Sequence, residues 1–465
     1  MSLAHLVKQG EQIDLPVSNS SNKRVEIGLL ALSWPILVEN LIRISLNSVD
    51  VFMLSWYSEK AVAAVGLINQ FIFFLQLLYL MVASGSGILI SQNIGANKEK
   101  EAGLVGLASL QLAFLFAGVL SVFMSLSANS ILDLYKLDAE VHRFAWQFLT
   151  IYGATSVFVA IGMVFSTILR TYGYTYQPMI VNIVALLLNV TGNYISIYGP
   201  FGLPVTGVVG VAWSTAISQA AACIMMFVMI IRHNDIHIPF RKIFSVSSKL
   251  YRPILAIGIP SAGENISYNI GQIVIMRMIA ALGTEAMAAT VYSLTLLRYV
   301  FITSISIGNG AQIKVGYLVG AGRSDEAHRK VYRYFLAGFL ISLSLVIVTK
   351  IAQVPLVHLF TDNATIQGLV YMVLIVALIH EPGRAFNVII IPALKGAGDI
   401  RFPVYVGMIF MWGIGVLFAY IFGIALQWGL LGIWIALAAD EWIRGLVVFF
   451  RWHNGGWRNK CMVRA

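Results

Sequence analysis

Residues 34–40 read "WPILVEN": an ionisable Glu39 and an amide, Asn40, inside a long apolar stretch. Residues 259–265 read "IPSAGEN". Proline, three residues and Glu-Asn therefore recur 225 positions later, again in apolar surroundings. A carboxylate in hydrocarbon costs roughly 2.5–3.5 kcal/mol on insertion scales. A chain that bears this cost twice, at a fixed distance, needs a reason for both.

The same offset runs on. Ala63-Ala64 matches Ala288-Ala289, Gly85 matches Gly310, Gly95-Ala96 matches Gly320-Ala321, and Glu101-Ala102 matches Glu326-Ala327. Leu169, Gly173 and Pro178 match Leu394, Gly398 and Pro403. Near the end the register slips by three, and Gly207 and Gly210 match Gly429 and Gly432. A gapless register of this length marks two homologous halves.

The chain has 465 residues, of which 58% are hydrophobic and only 11% charged. Soluble domains carry about 25% charged residues. The mean hydropathy of +0.81 excludes a single soluble core and indicates a polytopic membrane protein. Twelve spans are expected near 27–55, 61–90, 102–128, 146–168, 179–198, 207–231, 254–281, 286–314, 331–353, 369–394, 402–424 and 429–450. Six spans in each half return the chain to its starting side, so the halves have one orientation. The expected fold is all-α: two parallel six-helix lobes related by a pseudo-two-fold axis along the membrane normal, with the substrate path between them. The prolines inside spans 1 and 7 kink their helices and free carbonyls toward a cavity. Each repeated glutamate is expected to bind such freed backbone groups or to line the cleft.

The domain reading is a cytoplasmic arm (1–26) without a cleaved leader, an N-lobe (27–231), a cytoplasmic linker (232–252), a C-lobe (253–450) and a cytoplasmic tail (451–465). A net charge of +10 suggests nucleic acid, but its distribution does not. Lys and Arg crowd the two termini and the connections after spans 2, 4, 6, 8 and 10. The other face carries only Lys60, Lys136, Arg143 and Lys350. This is the positive-inside bias of a plasma-membrane protein with both termini in the cytoplasm. The basic linker (Arg232, Arg241, Lys242, Lys249, Arg252) is expected against anionic headgroups. Cys223 and Cys461 suggest no disulfide framework. No phosphate-binding loop and no His/Cys metal spacing is present, so neither an enzyme nor a bound cofactor is expected.

The polar residues inside spans carry the functional reading. Along a helix, Glu39, Arg43 and Asp50 fall within about 40° of one face, with Asp50 roughly 16 Å beyond Glu39. Glu39 and Arg43 form an i,i+4 pair, structural or functional, which the second half does not repeat. Asp50 has Ile275 as its repeat partner, so symmetry does not require it. Asn182, Asn189 and Asn193 share a face of span 5, and their partners are Gly407, Ile414 and Phe418. An acid with amide and hydroxyl oxygens suits a dehydrated Na⁺, and equally a proton; the alternative for the asparagines is interhelical glue.

The second half has its own charges. Glu381 and Arg384 are i,i+3 neighbours beside His380, with Pro382-Gly383 between them. Asp440 and Glu441 precede Arg444 in span 12. The partners of Glu381, Arg384, Asp440 and Glu441 are uncharged: Ser156, Val159, Ser218 and Gln219. The Glu381–Arg384 pair is expected to face spans 7 and 8, within reach of Glu264 or Arg298. This network is either architectural or mechanistic.

Several motifs together resemble the multidrug and toxic compound extrusion (MATE) transporters over about 27–450. They are "SWPILVENLIRISLNSVDVFMLS", "ISQNIGANKEKEA", "LNVTGNYISIYG" and "GVVGVAWST" in the first half. In the second they are "GIPSAGENI", "YLVGAGRSDEA" and "LKGAGDIRFP". The resemblance, closer to prokaryotic members, implies a Na⁺- or H⁺-coupled antiporter that exports amphiphilic, often cationic small molecules, here expected as a monomer. It places Asp50, Asn189, Asn193 and Thr215 on first-lobe cation-site positions. Many relatives have Asp where this chain has Asn193, which leaves one carboxylate. Several carry a span-7 glutamate eight residues after the proline, where this chain has Tyr268. The alternative is a flippase for lipid-linked oligosaccharide of the same architecture. Arginines would dominate a cleft for that anionic substrate, whereas Glu39, Asp50, Glu264, Glu381, Asp440 and Glu441 slightly outnumber Arg43, Arg277, Arg298, Arg384 and Arg444.

Overall fold

The computed structural model describes residues 24–243 and 246–463; the first 23 residues of the expected arm, 244–245 of the linker and 464–465 of the tail lie outside it. Twelve long helices follow in chain order. The first six are α1 (Leu29–Ser55), α2 (Glu59–Gly95), α3 (Glu99–Asp133), α4 (Ala139–Thr171), α5 (Tyr176–Tyr198) and α6 (Gly207–Arg232). The second six are α7 (Tyr251–Ala281), α8 (Thr284–Gly320), α9 (Ser324–Ile351), α10 (Ala364–Gly396), α11 (Arg401–Ala425) and α12 (Gly429–His453). Ten are long and apolar enough to cross a membrane; α7 and α12 fall short of that measure and carry Glu264 and Asp440–Glu441–Arg444. From Met411 onward α11 widens into π-helical turns, Met411–Val416 and Ala419–Ala425.

The helices run through their prolines. Pro35, Pro260, Pro382 and Pro392 all lie inside helices. The carbonyl that Pro35 frees, that of Ala31, accepts from the Thr175 hydroxyl at 3.2 Å. The carbonyl four residues before Pro392, that of Val388, is covered by Gly308. The carbonyl freed by Pro35 is thus met by a hydroxyl, while the partners of Glu39 and Glu264 are side chains. Gly173 and Gly398, repeat partners, end α4 and α10 with φ of +88° and +96°, a region that L side chains rarely adopt.

The lobes meet along a seam that obeys the repeat. Gly95 rests on the Tyr317 carbonyl and Gly320 on the Gln92 carbonyl; the 225 offset maps each contact onto the other. Gly85 meets Ile254, and Gly310 meets Leu29, by the same rule. A Cβ at Gly95 or Gly320 would overlap the facing carbonyl, so only glycine permits this approach. Two hydrogen bonds cross the seam as a pair: Gln92 Nε2 donates to the Gly396 carbonyl at 2.9 Å, and the Tyr317 hydroxyl donates to the Thr171 carbonyl. Asn40 Nδ2 adds a bond to Ser306 at 3.1 Å.

The apolar cores show where the seam ends. One cluster mixes residues of both halves, such as Ile88, Ile94, Ile254, Val315 and Tyr317, near the face bearing the basic connections. Two others belong to one half each, Leu54 through Ala212 and Ile275 through Ala438. The apolar core shared by the two lobes therefore lies near the basic face, and the other two clusters stay within their own lobes. On the basic face the linker inserts Ile236 and Ile238 into the shared core while its five basic side chains stay exposed.

Candidate functional site

Glu39 is fully buried, and its main partner is not Arg43. Arg170, at the end of α4, places Nη2 2.5 Å and Nε 3.1 Å from the two carboxylate oxygens. Asn182 donates at 3.2 Å and Ser166 at 3.3 Å. Arg43 stands at 3.5 Å and is 40% exposed, so it is a secondary partner facing the cleft. Glu39, Arg43, Ser166 and Asn182 line an N-lobe cavity of about 60 Å³ with Gln76, Met163 and Gln219.

Glu264 repeats this arrangement with Lys395 of α10, whose Nζ lies 2.6 Å from its carboxylate. Positions 170 and 395 are 225 apart, as are 39 and 264. The two glutamates are thus each neutralised by a cation at the same place on the fourth helix of their lobe. Neither residue stands out by span chemistry, because both sit at helix ends on the face where basic residues are expected. The repeat offset would have found them. Asn182 is replaced by Gly407, which lies against Glu264 and gives it no amide.

Asp50 is of a different kind. It is 6% exposed and forms no ion pair among the described residues. Asn193 Nδ2 donates to Oδ1 at 2.6 Å and Thr215 Oγ lies 3.3 Å from Oδ2. Asn189 donates to Thr215 at 3.1 Å and accepts from Asn193 at 3.3 Å. The carbonyl oxygen of Asn193 has no partner among the described residues. The four residues placed together by the resemblance are together in space, and Asn182, on the same face of α5, belongs to Glu39 instead.

The C-lobe network is denser than its sequence suggests. Arg384 Nη1 bonds Glu381 at 3.0 Å, as expected, but Nε also reaches Glu441 at 3.4 Å, and the guanidinium lies over Phe301 of α8 at 5.0 Å. Arg444 bridges Asp440 at 3.0 Å and Glu441 at 2.9 Å. Asn387 donates to Glu441 at 2.7 Å. His380 Nδ1 is 3.1 Å from Glu381, and Nε2 is 3.3 Å from Arg384 Nη2. An arginine only donates, so Nε2 must accept, and His380 is neutral with its proton on Nδ1. Tyr268, Glu264, Arg384, Lys395, Glu441 and Arg444 line a cavity of about 210 Å³.

One expectation fails here: Arg298 is exposed and joins no ion pair among the described residues. Glu264 lines the same cavity as Arg384, but its ion pair is with Lys395. Tyr79 is buried with its hydroxyl 2.8 Å from that of Ser156, Phe71 packs on Tyr135, and Met163 lines the N-lobe cavity.

On the basic face, Arg24 pairs with Glu99 at 3.0 Å and with Asp235, which also accepts from the Tyr174 hydroxyl at 2.7 Å. Burial pushes the Asp235 carboxyl up, but the bonds from Tyr174 and Arg24 outweigh it and hold it below the usual range. Burial, with the Asp235 charge beside it, pushes Tyr174 up to about 12.

Two parallel six-helix lobes, joined at one face, each with ion-paired carboxylates inside the membrane, define a two-lobed membrane transporter. A family model, MatE, matches residues 35–195 and again 260–421, so its two matches begin 225 residues apart. The chain belongs to the MATE family; it is a multi-pass membrane transporter and not an enzyme. It is 37% identical to the uncharacterized transporter YisQ of Bacillus subtilis (strain 168), over 94% of this chain and 96% of that one. It is 24% identical to the probable multidrug resistance protein NorM of Thermotoga maritima, over 94% of both. A MATE transporter in its bent conformation superposes with a TM-score of 0.85 at 20% identity, over 94% of this chain and 96% of that one. An outward-facing multidrug resistance MATE transporter gives the same score, identity and coverage.

Proposed function

We propose that the chain is a secondary active antiporter of the plasma membrane, a monomer that exports amphiphilic, cationic toxic compounds in exchange for protons by rocking its lobes. The observation that carries this reading is Asp50, a buried carboxylate with amide and hydroxyl neighbours and no cation. Such a group is costly unless it binds a proton or a cation in turn. A proton suits it better than Na⁺: an amide N–H points at Oδ1, and a dehydrated metal ion needs oxygens on every side. The partnerless Asn193 oxygen is the one feature favouring Na⁺. Relatives named as probable multidrug resistance proteins support the substrate class. The positive-inside bias puts both termini in the cytoplasm, and the core shared by the lobes then lies on that side, as release of an exported compound to the other side requires. A lipid-linked oligosaccharide flippase is the poorer reading, since Arg43, Arg384 and Arg444 are each paired with carboxylates.

The test is efflux of ethidium from vesicles holding the full chain, with H⁺ and Na⁺ gradients imposed separately. A proton gradient alone should drive it, and Asp50→Asn should abolish that drive. Drive by a Na⁺ gradient alone overturns proton coupling. Unchanged uphill efflux in Asp50→Asn overturns the role of Asp50.

A further inference from the structure

The C-lobe cluster holds four carboxyls, Glu264, Glu381, Asp440 and Glu441, and three cations, Arg384, Lys395 and Arg444. His380 adds no charge, because its Nε2 accepts from Arg384. One negative charge is left over inside a lobe core, where an uncompensated ion is far costlier than a neutral carboxylic acid. The partners show which acid can give it up. Glu264 has Lys395 to itself. Glu381 holds Arg384 and the His380 N–H. Glu441 takes Arg444, Arg384 and Asn387. Among the described residues Asp440, 2% exposed, has only the Arg444 Nη2 that it shares with Glu441, and its Oδ1 has no partner.

The surroundings agree. From α11, Gly415 and Met411 of the widened turns pack near Asp440 and bring no titratable group. From α10 come His380, Glu381 and Arg384; from α7, Glu264 and the neutral phenol of Tyr268; from α12 itself, Glu441 and Arg444. Two further buried polar atoms, Arg444 Nε and Asn387 Oδ1, are also without partners among the described residues.

We propose that Asp440 is a second proton-binding site of this transporter, in the C-lobe, and that its carboxyl carries an exchangeable proton in the conformation described. The proton makes Arg444 the partner of Glu441 alone and balances the cluster at three against three. Asp50 and Asp440 would then hold one exchangeable proton in each lobe; use of the second in transport rests on the antiport reading above, whereas its presence does not.

Infrared difference spectroscopy of the full chain in lipid nanodiscs, stepped in pH, reads a protonated carboxyl through its C=O stretch and the shift of that band in D₂O. Asp50→Asn serves as the background, so that the N-lobe carboxyl contributes nothing: such a band should be present near neutral pH in Asp50→Asn and lost in the Asp50→Asn/Asp440→Asn double variant. Thermal melting gives an independent check. The amide mimics the protonated acid, so Asp440→Asn should melt as the parent does, while Glu441→Gln should melt lower because two arginines lose their acid. A band that survives in the Asp50→Asn/Asp440→Asn double variant, or an Asp440→Asn protein that melts as low as Glu441→Gln, overturns the proposal. Antiport failing in the parent would leave the infrared result standing, so the two readings fail separately.

Discussion

The two lobes descend from one sequence, and they treat the same glutamate alike and everything around it differently. Glu39 with Arg170 and Glu264 with Lys395 are the same pair at the same place. Beyond it the N-lobe has a small cavity with an amide and a hydroxyl on the carboxylate and, farther along, the uncharged neighbours of Asp50. The C-lobe has the larger cavity and a network of interlocked ions. What duplication kept is a helix-to-helix ion pair holding α1 to α4 and α7 to α10. What it released was the remaining cleft, where each lobe acquired separate chemistry.

Breaking the conserved pair is expected to have the largest effect. Arg170→Gln leaves fully buried Glu39 with half-exposed Arg43 as its only cation and should cost about 3–5 kcal/mol. Lys395→Gln should cost less, about 2 kcal/mol, because Glu264 is in part open to its cavity. Melting temperatures of the two variants, each rescued by neutralising its glutamate, check the order. Equal losses would mean that the pairs are equivalent in energy as well as in position.

In the C-lobe, Arg384→Gln should destabilise more than Glu381→Gln. Arg384 serves Glu381, Glu441 and the ring of Phe301, whereas Glu381 leaves Arg384 still bound to Glu441. The double variant should recover much of the expression. If it then exports ethidium normally the pair is architectural, and if it folds but does not export the pair belongs to the mechanism.

The seam offers a symmetric test of smaller size. Gln92→Leu and Tyr317→Phe each remove one crossing bond and should cost about 1–2 kcal/mol apiece. Both should favour separation of the lobes at the basic face, read as faster thiol labelling of Cys461, which lies 3.6 Å from Gln92. A change in one variant only would show that the seam's symmetry is not energetic.

The smallest effect concerns the basic face. Asp235 is held below its ordinary range in the folded chain, so its contribution is present above the unfolded carboxylate range and lost as pH falls through its folded titration. Asp235→Asn should remove up to about 1 kcal/mol at neutral pH and flatten the acid limb of the melting profile. A profile unchanged by the substitution would remove Asp235 from that account.

Much of this was legible in residues alone. The offset of 225 carried the two-lobe fold, and apolar length with interspersed glycine and proline carried the helices. The Asp50–Asn189–Asn193–Thr215 group was legible as a resemblance, and the structure brings those four together. The partners of Glu39 and Glu264 were missed because local spacing pointed to Arg43, four residues away, when the closer cation came from another helix 131 positions on. Arg298 was over-read for the converse reason: a charge in mid-span looks buried until neighbouring helices decide which side it faces.

Sequence by itself determined the periodic and the repeated: how many helices, their parallel halves, which spans carry charge, and the face that collects Lys and Arg. These follow from one-dimensional facts, since the bilayer demands long apolar runs and duplication copies register. Only the tertiary structure decided which charge meets which, that Glu441 is held three ways while Asp440 keeps a free oxygen, and that the lobes join at the basic face. Ion pairing and desolvation depend on distances of a few ångströms between helices far apart in the chain, and no spacing along a single helix contains them.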